Sequence, residues 1–135
     1  MHRRGNAEMK PEQFIRELGV ERAKELISDP LHPKMTHVSD DGRHWVNENN
    51  KNIDENIRKQ LPSLMRLEDL KRLVESLDII SDLDGIDAAK GTLAELIKLD
   101  WDEFEHRWID GWRCSKRQLK LAIGTYESIY GGGDE

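Results

Sequence analysis

What this chain lacks narrows it before any motif is considered. It has one cysteine, Cys114, among 135 residues. No internal disulfide can form, and a reducing compartment is the natural setting. No apolar run nears the roughly 18 to 20 residues a membrane span needs. The N-terminal MHRRGNAEMK is basic but lacks the apolar core of a secretion signal. These features predict a cytoplasmic protein with no membrane partner. An excess of positive charge is missing too: 21 Lys and Arg against 27 Asp and Glu leave a net charge of −6. An acidic total repels phosphate backbones at long range, which counts against non-specific nucleic-acid binding but leaves a local basic patch open.

The familiar signatures of catalysis and metal binding are also missing. There is no glycine-rich phosphate loop and no ordered Ser/His/Asp set. His32, His37 and His44, with Asp40 and Asp41, share one polar stretch without the paired spacing of metal ligands. A nuclease of HNH type using Asn47 or Asn50 would need basic and glycine context that this stretch lacks. Asp82, Asp84 and Asp87 do not follow the order of a calcium loop. Cys114 adjoins Arg113 and a helix start, a setting that lowers a thiol pKa, yet no histidine is placed to activate it. The chain therefore reads as non-enzymatic, with no metal and no cofactor.

What is present is helical periodicity in a chain short enough for one domain. Pro11 opens a helix carrying Phe14, Ile15 and Leu18, which Gly19 caps; Val20, Ala23, Leu26 and Ile27 continue until Pro30. Leu67, Leu70, Leu73, Val74, Leu77 and Ile80 repeat at threes and fours, ending near Gly85. Ile86, Ala89, Leu93, Leu96 and Ile97 form the next stripe, and Gly91 within it suggests a closely packed neighbour. Trp101, Phe104, Trp108 and Trp112 fall within an arc of roughly 80° at helical spacing, predicting an aromatic helix. Ser115 and Gln118 make a capping-box pattern for the last helix, whose apolar face is Leu119, Ala122, Ile123, Tyr126, Ile129 and Tyr130. Residues 29–60 are polar and irregular, although Asp41-Gly42 is a turn dipeptide able to close a small hairpin near residues 36–46. The expected fold is all-α: a compact bundle of five or six short helices in one domain at residues 9–130 with one long irregular loop. Residues 1–8 are expected to form a mobile arm and residues 131–135 a flexible tail, with the folded unit starting near Met9.

Two features remain for function. Part of the tryptophan stripe, Trp112 above all, is either core or an exposed contact beside Arg107 and Arg113; Trp and Arg are enriched in binding hot spots. Trp45, alone in the polar stretch, either pins that loop or anchors a partner. Lys116, Arg117 and Lys120 sit in the first turns of a helix, against its dipole, so an anion is expected nearby. Candidates are nucleic-acid phosphate, an acidic partner, or the chain's own Asp102, Glu103, Glu105 and Asp110.

The stretches MKPEQFIRELGVERAKELI and LEDLKRLVESLDIISDLDGIDAAKGTL resemble small early-region accessory proteins of lambda-like bacteriophages. The matching residues are Pro11, Glu12, Phe14 and Ile15, then Asp69 to Ser76, then Gly85, Ile86, Ala89 and Lys90. The resemblance covers about half the chain and rests on helix-packing signatures. It implies a bacteriophage protein acting in the host cytoplasm by binding and modulating a host or host-defence protein, as in counter-defence, and it implies no catalytic residues. The contact surface would combine Arg107, Trp112, Arg113, Lys116, Arg117 and Lys120. The alternative is a helix-turn-helix DNA or RNA binder using the last helix, and homodimerisation is open as well.

Overall fold

The computed structural model describes residues 10–131. The expected arm at residues 1–8, the start near Met9 and all but the first residue of the expected tail lie outside the described residues. Packing groups the chain into two compact units, and the boundary at Val74 falls inside a long helix.

In the first unit, α1 (Pro11–Leu18) and α2 (Val20–Ile27) form as the pattern predicts, hinged at Gly19 with φ +96°. Residues 29–60 are mostly turns and irregular chain, as expected, but they also hold the small hairpin and one short helix. Strands β1 (His37–Val38) and β2 (Trp45–Val46) close the hairpin around Asp41-Gly42, and β3 (Met65–Arg66) pairs antiparallel on the other side of β1, giving the order β2-β1-β3. Gly42 has φ +75°, a conformation that favours glycine, while a Cβ there would stand 2.9 Å from the Arg22 guanidinium of α2, a flexible side-chain end able to move aside. Helix α3 (Glu55–Gln60) buries nothing; Asp54 caps it by accepting from the Asn56 N–H at 2.7 Å. A 3-10 turn, Leu61–Ser63, leads on to β3. The buried side chains of this unit include Phe14, Ile15, Ala23, Leu26, Val38, Met65 and Leu70.

His37 is buried in this sheet, with Nδ1 2.8 Å from the Thr36 hydroxyl. Burial holds its pKa below the usual histidine value; Arg66 adds to the depression, while Glu48 and Asp69 oppose it. The unfolded chain therefore takes up a proton near pH 6.5 that the folded chain refuses. Stability should fall as pH drops below about 6.5, with a slope of at most ~1.4 kcal/mol per pH unit, and level off beneath the depressed folded value. Urea midpoints measured against pH test this: His37→Asn should flatten that acid limb, and an unchanged limb would refute it.

The second unit begins in α4 (Leu67–Asp82), which ends where Asp84 turns left-handed at φ +70° and the Gly85 N–H returns to the Ile80 carbonyl at 2.9 Å. Helix α5 (Ile86–Leu99) stops at Asp100, also left-handed at φ +58°. Here the aromatic helix fails to form. Residues Glu103–Glu105 and Arg113–Ser115 are strands β4 and β5 of an antiparallel hairpin, with Phe104 opposite Cys114. Spacings of four satisfy a period of 3.6 and a period of two alike. Phe104, Trp108 and Trp112 thus fit both templates, and the alternation Glu103-Phe104-Glu105 favours the strand. Glu103 and Glu105 are exposed, Phe104 packs on the core, and Gly111 turns at φ +78°. Helix α6 (Lys116–Tyr130) follows directly, with both capping-box bonds present between Ser115 and Gln118. A hairpin rather than a helix precedes α6, so residues 101–130 do not make a helix-turn-helix.

The core of this unit is Ile80, Ala89, Leu96, Cys114, Leu119, Ala122 and Ile123. Two expectations about α5 are corrected. Gly91 has open space where a packed neighbour was expected, and Ile97 is 56% exposed at the margin of its stripe. The described residues are predominantly helical with two small antiparallel sheets, so the all-α expectation holds only coarsely. No helix among them is long and apolar enough to cross a membrane.

A candidate interaction surface on the hairpin and last helix

The structure separates the tryptophans of the stripe. Trp101 is 56% and Trp108 80% exposed, whereas Trp112, a member of the expected contact surface, is half-buried. Its Nε1–H donates to the Asp82 carboxylate at 2.9 Å, and its ring packs against Phe104 and His106 at centroid distances of 5.4 and 5.5 Å. His106 completes the clamp. Its Nδ1 accepts from the Trp108 backbone N–H at 3.0 Å, so Nε2 carries the proton and donates to the Asp82 carbonyl at 2.8 Å. The end of α4 thus fixes the hairpin through one histidine and one tryptophan. Beyond this clamp the tip projects Arg107, Trp108 and Ile109, all exposed, with the Arg107 guanidinium 6.0 Å from the Trp108 ring centroid. A shallow groove of roughly 400 Å³ runs below the tip, lined among others by Leu83, Ala88, Thr92, Phe104 and Trp108.

The six residues expected to make one surface are thereby divided. Arg107 is at the tip and Trp112 is in the clamp. Arg113 lies on the hairpin's outer face between Glu103 at 3.7 Å and Glu105 at 3.1 Å, and Lys116 is 3.9 Å from Asp102. Carboxylates of the chain itself are therefore the anions nearest two of the cations. Arg117 and Lys120 are exposed on α6 and form no ion pair among the described residues. Trp45 is half-buried in the first unit, stacked on His32 at 4.1 Å and donating to the Gly42 carbonyl at 2.8 Å. Both contacts pin the loop.

Cys114 is buried, and burial raises its thiol pKa, so the activation expected from Arg113 and the helix start is not what its surroundings provide. Among the described residues no three His, Cys, Asp or Glu side chains stand close enough together to hold a metal ion. Sequence reasoning missed Trp108, Ile109 and the groove. Two signals pointed to them: the charged-aromatic alternation from Glu103 and the Asp110-Gly111 turn dipeptide. Comparison with family models, characterised proteins and solved structures finds no match.

Proposed function

We propose that this chain is a non-enzymatic binding protein that docks on another protein through its hairpin tip. The observation that carries the reading is the 80% exposure of Trp108 beside Arg107 on a loop held from below by His106 and Trp112. Leaving a large aromatic in water is costly unless a partner covers it. A tip already fixed in place loses little conformational entropy on docking. The resemblance to early-region phage proteins supplies the kind of partner: a host or host-defence protein in the bacterial cytoplasm, modulated by being bound. Affinity capture from a bacterial host lysate tests this. Trp108→Ala should keep the wild-type far-ultraviolet circular dichroism and lose the captured partner, and equal capture by both proteins would overturn the reading.

A second reading, nucleic-acid binding through α6, rests on Arg117 and Lys120 having no ion pair among the described residues. The net charge of −6 weighs against it. Retention on nucleic acid with a steep salt dependence, lost in Arg117→Glu, would establish this second reading instead.

A further inference from the structure

The face of α6 that points away from the core carries features the hairpin reading does not use. At 100° per residue, Glu127, Lys120, Gly124, Arg117, Ser128 and Leu121 lie in sequence around an arc of roughly 120°, and all are exposed. Leu121 is 62% exposed. Gly124 stands near the middle of the helix with open space where a Cβ would be. A glycine there costs the helix about 1 kcal/mol against alanine, and among the described residues nothing approaches closely enough to require it.

Helix α5 extends this face. The Lys90–Glu127 ion pair at 2.6 Å sets the Lys90 edge of α5 beside the Glu127 edge of α6. Ile97 is two helical turns along that same edge and 56% exposed, and the nearby Gly91 also has open space around its missing Cβ. The groove under the hairpin tip is instead lined by Ala88 and Thr92, on roughly the opposite side of α5.

We propose that this α5–α6 face is a homodimer interface, covered by a second copy of the chain packed antiparallel across a two-fold axis near Gly124. The argument is charge self-complementarity. Arg117 and Lys120 lie toward the start of α6, where they oppose its dipole, while Glu127 and the carbonyl end lie toward its finish on the same face. An antiparallel copy sets the cations of each helix beside the carboxylate and carbonyl end of the other. Each contact then occurs twice, as an isologous interface requires. Glu127 can serve both Lys90 and an incoming cation, because a carboxylate accepts several hydrogen bonds. The exposed glycines permit close approach of the backbones, and Ile97 and Leu121 supply exposed apolar area that the described residues leave uncovered. A standard interface of this kind buries roughly 800 Å² per partner.

Sedimentation equilibrium on the full chain up to ~100 µM, where even a micromolar interface of that size is occupied, should report a dimer. Leu121→Glu and Arg117→Glu, both at exposed positions, should shift it to monomer without changing circular dichroism. Gly124→Cys should oxidise to a disulfide-linked dimer through the axis, whereas Asn52→Cys in the first unit should not; native Cys114 is buried and does not compete. A wild type that stays monomeric throughout, or a dimer that survives Leu121→Glu and leaves Gly124→Cys unlinked, overturns the proposal.

Discussion

Trp112→Ala is expected to lower the unfolding free energy by about 3 kcal/mol, while Trp108→Ala leaves it within ~0.5 kcal/mol of wild type. The two residues are four apart on one loop and chemically identical, so the difference lies wholly in their surroundings. Trp112 lies against the core of the second unit, touches Phe104 and His106, and satisfies the Asp82 carboxylate. Removing it opens a cavity beneath the hairpin and deprives Asp82 of a donor. Trp108 is mostly in water, with the Arg107 guanidinium 6.0 Å from its ring centroid, and its truncation exposes little that was hidden. Guanidinium unfolding of the two variants reads this directly. Equal losses would mean that Trp108 is buried after all, and the proposed contact surface would fail with it. Trp112→Phe separates packing from the hydrogen bond: it keeps most of the apolar area, so its smaller loss, about 1 kcal/mol, measures chiefly the Asp82 bond.

The tryptophans also mark where sequence reasoning stops. Long amphipathic segments were legible: α1, α2, α4, α5 and α6 follow from apolar spacing, and the Ser115 cap and the Asp41-Gly42 hairpin follow from turn and cap chemistry. These signals are local, since a helix must bury one stripe and a tight turn must use particular residues. Helix α3 was illegible because it buries no side chain and so has no stripe to show; its one signal is the Asp54 cap. The β4–β5 hairpin was misread because its aromatic spacing fits two periodicities, and the Glu103-Phe104-Glu105 alternation with the turn at Gly111 decides between them. Once the hairpin forms, the aromatic residues part company. The clamp at Asp82, which selects Trp112 for burial and leaves Trp108 outside, joins residues thirty apart in sequence, and no periodicity reports such a contact. The candidate surface was therefore legible as a region rich in Trp and Arg, not in which members of that region face water.

If both proposed surfaces hold, they serve different ends of one arrangement. The α5–α6 face pairs two copies, and each copy keeps its hairpin tip, because the tip groove uses the other side of α5. A dimer displaying two tips gains from multivalency: against a partner with two accessible sites, the second contact forms at an effective concentration set by the dimer's geometry. Leu121→Glu would then weaken capture of a two-site partner while leaving the tip itself intact, whereas Trp108→Ala would abolish capture and leave the dimer unchanged. The two variants thus report on separate proposals, and the failure of one does not conceal the failure of the other.

Leu119→Ala carries the other large expected effect, a loss of about 3 kcal/mol, and its mechanism shows what holds the tip in place. Leu119 is fully buried on α6, in a cluster with Ile80 of α4, Ala89 and Leu96 of α5 and Cys114 of the hairpin. The hairpin runs directly into α6, so the helix, its Ser115 cap and the base of the hairpin share one packing site. Truncation to alanine removes three heavy atoms where four elements converge, and none of them can close the gap without displacing another. Leu121, two positions along the same helix, is 62% exposed; Leu121→Ala at protein concentrations low enough to keep the chain monomeric should cost less than ~0.5 kcal/mol. Urea unfolding of both variants should therefore separate them by several-fold in stability loss. For Leu119→Ala, partner capture should persist well below the lowered melting temperature and vanish as the core loosens, because the tip needs its clamp more than it needs Leu119 itself. If capture is lost while the variant remains fully folded, Leu119 affects the tip by some route other than core stability, and the packing account of that surface is wrong.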